Sequence, residues 1–350
     1  MSALRTRRRG WPWLIVAAAL GALIGAGVHA LWALGAPSDD ATPVEFEVPR
    51  GSGAAQVARD LRAQGLVRDA RVFLLLLRLE GIDRRVGEGL YDLNPAMDAR
   101  TLAAALERGG RPRTVRVVLP EGSRLVDVAT RLENAGVAPL TLALERMRDP
   151  GALLPADAAD ASAETLEGYL FPAAYDVPVN EPLDETLARM VRRFEQELGA
   201  ATRERVLAEG LDVHAWVTLA SMVQAEAAND AEMGIIAGVF RNRLDVGMPL
   251  QSDPTVAYGL GKDLPQLDFP GGDFDVDHPW NTYTRGGLPQ GPIGSPGRSA
   301  LESVLTPERT DDRGRAWFYF LHGRDDTGPV FRPNLDFEGH LRDVARYLRR

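Results

Sequence analysis

Glu226 closes a stretch of chain whose residue types could do acid–base chemistry. From Asp212 the sequence runs through Trp216, Leu219, Met222 and Val223 to Glu226 without another acidic residue. Asp212 suits a helix N-cap. At 3.6 residues per turn, Ala215, Trp216, Leu219, Met222 and Val223 fall on one apolar stripe that Glu226 continues, with Gln224 on another side. A carboxyl held on an apolar face resists ionisation, and its pKa climbs. A carboxyl that keeps its proton near neutral pH is what a general acid requires. Periodicity alone leaves a second arrangement open, in which a helix-end Glu turns to solvent or pairs with Arg241 or Arg243.

Three turn-rich segments follow within about fifty residues. They are Leu250 to Thr255, with Gln251, Ser252, Asp253 and Pro254; then Asn281, Thr282 and Tyr283; then the Gly/Pro run from Gly286 to Gly297. Gly and Pro fix tight turns and let backbone approach a ligand. The amide and hydroxyl groups among them suit a hydroxyl-rich substrate. Gln251, Ser252, Asp253, Thr255, Asn281, Thr282 and Tyr283 are therefore candidate substrate-binding residues. Glu167 and Tyr169 join them from the aromatic segment Leu166 to Pro172.

The elements that must position these residues are legible as patterns. A long helix is expected from about Leu183 to Glu209, and an Ala/Asp/Pro-rich junction covers Pro139 to Ala163. Further upstream lies an internal repeat. Val44 to Ser52 and Val115 to Ser123 each alternate and then break at Pro and Gly. Pro49 and Pro120, Gly51 and Gly122, Leu61 and Leu132, and Gly65 and Gly136 share an offset of 71 positions. Each copy reads as strand, turn and helix, with Ser52 and Ser123 as expected N-caps and Gly65 and Gly136 near the helix ends. This α+β module, residues 44–138, fits either a spacer or a LysM-like carbohydrate-binding part; no exposed aromatic platform stands out in it.

Before the module, Trp11 to Ala36 contains no Asp, Glu, Lys or Arg, and Trp11, Trp13 and Trp32 lie near its ends. At about 1.5 Å per residue such a helix spans a hydrocarbon core of roughly 30 Å. It exceeds the h-region of a cleaved signal peptide, so a retained transmembrane helix (residues 11–36) is expected. The arginines Arg5, Arg7, Arg8 and Arg9 precede it, which places residues 1–10 in the cytoplasm and the bulk of the chain outside. Residues 37–43 read as a linker.

Charge and composition exclude several classes. The 350-residue chain has a formal net charge of −9, and four arginines against two aspartates put the first forty residues at +2, leaving −11 for the rest. An acidic body argues against a nucleic-acid partner. With no cysteine, disulfides and thiolate chemistry are excluded. The five histidines show no metal-ligand spacing, and no nucleotide signature appears. No cofactor and no metal are expected.

The ordered set of Leu219 to Ala227, Phe240 to Leu244, Leu250 to Thr255, Asn281 to Tyr283 and Gly287 to Gly297 resembles the endolytic murein transglycosylase family. The resemblance covers roughly Thr165 to Arg350, and the upstream anchor and LysM-like segment fit it too. It implies an α+β fold with a catalytic domain over residues 164–350. It also implies Glu226 as catalytic residue, and cleavage of the bond from N-acetylmuramic acid to N-acetylglucosamine in nascent peptidoglycan strands. The products would carry 1,6-anhydromuramyl ends, ending glycan polymerisation. Implied partners are peptidoglycan glycan strands, the inner (cytoplasmic) membrane and peptidoglycan synthases. Many family members carry a second Glu two residues before the catalytic one, where this chain has Gln224. It also departs at Ala173, Ala174, Gln290 and Ser295. Two other readings are a glycoside hydrolase that pairs Glu226 with Asp253 or Glu167, and a non-catalytic peptidoglycan-binding scaffold of the elongation machinery.

Overall fold

The computed structural model describes residues 11–160 and 163–348. The expected cytoplasmic tail, residues 1–10, lies outside the described residues. The fold is mixed α+β with an N-terminal apolar helix, and the chain divides into two compact units at Thr114/Val115.

The first unit begins with α1 (Trp11–Leu34), a 24-residue helix whose span Trp13–Leu34 is long and apolar enough to cross a membrane. Its apolar side chains, Leu14, Ile15, Leu23 and Leu31 among them, are exposed. That is tolerable for a helix solvated by lipid and costly for one in water. There follow β1 (Val44–Val48), α2 (Ala54–Ala63), α3 (Ala70–Leu79), β2 (Gly89–Leu93) and α4 (Ala99–Arg108). β1 and β2 pair antiparallel, with Phe46 opposite Tyr91. Phe46, Val57, Leu61, Phe73, Leu77, Leu102 and Leu106 close a core of their own.

The second unit opens with β3 (Thr114–Val118) and α5 (Leu125–Asn134), the second copy of the repeat. Both copies fold as strand, turn and helix. Gly51 and Gly122 share a positive φ of 78° and 74°, and Gly65 and Gly136 one of 73° and 71°. The helix starts differ from expectation by one residue. Gly53 and Arg124 occupy the N-cap positions, and the Ser123 hydroxyl instead donates to the Pro120 carbonyl, closing the preceding turn.

This second copy does not complete the first unit. β3 pairs with β4 (Ala174–Pro178), and the Leu119 amide donates to the Ala173 carbonyl. Val117, Val128 and Leu132 pack with Leu166, Leu170, Val177 and Met190 in one core. The expected module boundary at residue 138 therefore falls inside the second unit, because the apolar faces of β3 and α5 are buried by chain from beyond residue 160.

That unit continues through α6 (Leu140–Arg148), the short α7 (Ala156–Asp160), α8 (Leu183–Ala208), α9 (Val213–Glu226), α10 (Asp230–Asp245), α11 (Asp253–Leu260) and α12 (Arg298–Leu305). An antiparallel hairpin of β5 (Tyr319–Asp325) and β6 (Gly328–Asn334), then α13 (Phe337–Tyr347), end it. α8 breaks at Gly199, and α8 and α9 meet at 90°.

α9 is the central strut. Trp216 to Val223 are all buried, so the helix is enclosed on every side and not along one stripe. Ala215, expected on the stripe, is only half-buried. Helices α8, α10, α11 and α12 surround α9, and the Trp216 indole donates to the Leu301 carbonyl at 2.9 Å.

Candidate active site

Glu226 lies at the C-terminal end of α9, where the helix emerges from the core into a cleft of about 320 Å³. The volume is in the range of small-molecule sites. Protein surrounds the carboxyl closely, yet the side chain keeps some access to the cleft. Burial pushes it up to about 7. The Ser252 hydroxyl, donating to Glu226 Oε1 at 2.5 Å, pulls the other way; the Asp253 charge raises it further and Arg243 offsets part of that. Among the described residues Glu226 forms no ion pair within 4.0 Å. The solvent-facing or Arg-paired alternative is thus not the one adopted: Arg241 pairs with Glu209. Arg243 is buried and donates to the carbonyls of Leu250 and Phe318 at 2.8 and 2.7 Å.

Ser252 is aimed by the loop chemistry around it. It is the N-cap of α11, with Pro254 at the start of that helix. The preceding Gln251 adopts a φ of +50°, an uncommon conformation for a residue with a side chain. The turn is pinned on both sides. The Thr282 hydroxyl accepts from the Ser252 amide at 3.0 Å, the Thr282 carbonyl accepts from the Gln251 amide at 3.1 Å, and the Thr255 hydroxyl donates to the Ser252 carbonyl at 2.6 Å. Asn281 spends its amide group on the carbonyls of Phe274 and Val276 and its oxygen on the Tyr283 amide. Asn281, Thr282 and Thr255 are therefore buried and internally bonded, holding the loops in place behind the cleft. Gln251, Asp253 and Tyr283 line it, and the Tyr283 hydroxyl donates to Asp253 Oδ1 at 2.5 Å.

The Gly/Pro run Gly286 to Gly297 is tied to α9. The Ile293 amide donates to the Ser221 hydroxyl, and the Gly297 amide donates to Gln224 Oε1 at 2.9 Å. Gln224 thus serves as an amide acceptor, a role a neutral side chain fills without adding a second charge near Glu226. Ser295 bonds through its backbone to Gly122 and Ser123, so its side chain is not what ties the run to the repeat.

The far wall of the cleft escaped sequence reasoning. It consists of Tyr319, Phe320 and His322 from β5, with Phe337 and His340 from α13. His340 stacks on Tyr319, and burial lowers its pKa, keeping the ring neutral. Tyr319 in turn carries the Arg243 guanidinium at 5.0 Å from its ring centre. The signal was present as the aromatic run Trp317 to His322 before a turn at Asp325 to Gly328, but nothing local indicates which surface that hairpin covers.

Glu167 and Tyr169 are not at this cleft. Tyr169 is buried in the core, its hydroxyl 2.7 Å from His214 Nδ1. His214 Nε2 faces the Gln290 carbonyl at 2.9 Å, so that nitrogen carries the proton and Nδ1 accepts from Tyr169. Glu167 faces a different cavity. Gly168 between them has φ +85°, and a Cβ there would meet Pro292 and Val217 at 2.6 and 2.8 Å.

A cleft with a carboxyl raised to about 7 at its floor, a hydroxyl aimed at it and an aromatic wall defines a site for acid–base work on a polar ligand. Comparison with known proteins agrees in class. Residues 46–346 match the YceG-like family, and the chain belongs to it. The chain is 29% identical over 324 residues to the endolytic murein transglycosylase of Bacillus subtilis, covering 89% of this chain and 86% of that one. It is 28% identical over 330 residues to the protein of the same name from Streptococcus pneumoniae serotype 2, covering 87% of this chain and 58% of that one. Among solved structures it is similar to a yceG-like protein from Listeria monocytogenes, with a TM-score of 0.58 and 27% identity over 87% of this chain and 99% of that one.

Proposed function

We propose that this chain is a membrane-anchored endolytic murein transglycosylase in which Glu226 is the sole acid and base. The observation that carries the reading is a carboxyl raised to about 7 and free of ion pairs among the described residues, at the floor of a cleft. Relatives named endolytic murein transglycosylases, similar over nearly the whole of this chain, support the substrate class.

Protonated Glu226 donates its proton to the glycosidic oxygen as the bond from N-acetylmuramic acid breaks. The resulting carboxylate takes the proton of the muramyl 6-hydroxyl, whose oxygen closes on the anomeric carbon. The products are a 1,6-anhydro end and a free hydroxyl on the leaving sugar, and the carboxyl ends as it began. No water enters, so a second carboxylate of the kind hydrolysing glycosidases use is dispensable. Ser252 holds Glu226 in line, while Gln251, Asp253 and Tyr283 contact the sugars. Thr255, Asn281 and Thr282 support that contact indirectly. α1 tethers the enzyme to the inner membrane, with the catalytic unit outside and within reach of nascent strands and of the synthases that extend them. The strand–helix units of residues 44–114 support a LysM-like role in holding glycan.

The hydrolase reading finds its nearest support in Asp253, which lines the cleft; Glu167 faces another cavity. Mass spectrometry of products from uncrosslinked strands separates the two. Anhydromuramyl ends are the expected result, and reducing ends heavier by one water would replace this proposal with the hydrolase.

A further inference from the structure

A second cavity in the same unit, about 570 Å³, has Glu167 at its base. Glu167 is 4% exposed. Its Oε2 accepts from the Tyr258 hydroxyl at 2.9 Å and from the Leu125 amide at 3.3 Å, at the start of α5. Its Oε1 has no partner. A buried carboxyl oxygen left unbonded is costly, and such a group calls for a partner, which a bound ligand can supply. Tyr258 and Trp280 form the walls, their ring centres 5.5 Å apart. Arg124 lies over the Tyr258 ring, and Arg148 is exposed at the rim. Among the described residues neither arginine is in an ion pair, in a unit whose other charges are mostly acidic.

We infer that this cavity binds the acidic peptide stem of the substrate, with its carboxylates on Arg124 and Arg148, a peptide carbonyl at Glu167 Oε1, and its aliphatic parts against the exposed faces of Tyr258 and Trp280. The inference rests on the peptidoglycan reading for the identity of the peptide. Two unpaired cations select an anion, which the neutral sugars of the backbone do not supply where a peptide caps the muramyl carboxyl. Burial pushes Glu167 up to about 7, against the bonds from Tyr258 and Leu125, so its carboxyl repels an acidic ligand less than an ordinary carboxylate does. α11 joins the two sites. Ser252 at its N-cap donates to Glu226, and Tyr258, six positions on and roughly 9 Å along the axis, donates to Glu167.

Calorimetry on the full chain in detergent, with a free stem peptide as titrant, tests this without calling on catalysis. The native chain is expected to bind the peptide, and Arg148→Ala and Arg148→Glu, both at an exposed position that folding tolerates, to weaken it at least tenfold. In turnover, Arg148→Ala is expected to raise KM several-fold more on peptide-bearing strands than on peptide-free ones. Absence of peptide binding, equal affinity in the arginine variants, or an equal KM change on both strands would each overturn the assignment. Because binding is read directly, a chain that binds peptide but forms no anhydro product would sink the transglycosylase reading and leave this one standing.

Discussion

At the scale of single residues, the role proposed for Glu226 sets both the rate and the pH response to be expected. Since it must start protonated, kcat/KM is expected to fall as pH rises through about 7. Ser252→Ala removes the donor that stabilises the carboxylate, so the alkaline limb should move to higher pH while the maximal rate drops. An unmoved limb would mean that another group titrates. The same group shapes stability. The native carboxyl holds a proton to about pH 7, and the unfolded one only to about 4.5, so the native state binds more protons in between and loses stability as pH rises through that window. At pH 8, Glu226→Gln is expected to be more stable than the native chain by roughly 1–3 kcal/mol, with little difference at pH 4, as read by denaturant unfolding. Equal stability at both values would show that the carboxyl is not raised.

At the scale of elements, α9 and the loops tied to it hold the site. Gly168→Ala puts a Cβ into Pro292 and Val217 at a positive φ. It should cost more than about 1 kcal/mol and loosen the run that Ser221 and Gln224 pin; an unchanged melting temperature would contradict that packing. Tyr319→Ala should raise KM by removing the wall above Glu226 and leave the position of the alkaline limb alone. These elements were unequally legible in the sequence. The two repeat copies were readable because each encodes its own turn glycines, and the loop around Ser252 because Pro, Thr and Asp announce it. The helix stripe misled in part: α9 is enclosed on every side, so periodicity could not say where Glu226 points, and the end of the helix decides it. The aromatic wall and the grouping of the second repeat copy with β4 depend on contacts between distant segments, which no local pattern carries.

At the scale of the whole molecule, α1 is the candidate membrane anchor, and under the proposed function it sets where the chemistry happens. A reporter fused after Arg350 is expected outside the cytoplasm, with the protein retained in the membrane fraction; a cytoplasmic reporter would invert the topology. The most direct test of the central claim compares the full-length native chain, Glu226→Gln and Asp253→Asn on the same uncrosslinked strands. Glu226→Gln preserves size and the bond from Ser252 but cannot cycle a proton. The account predicts that it folds, still binds strands, and forms anhydromuramyl ends at least about a hundredfold more slowly, with Asp253→Asn far less affected. Retained product formation in Glu226→Gln, with loss in Asp253→Asn, would contradict it.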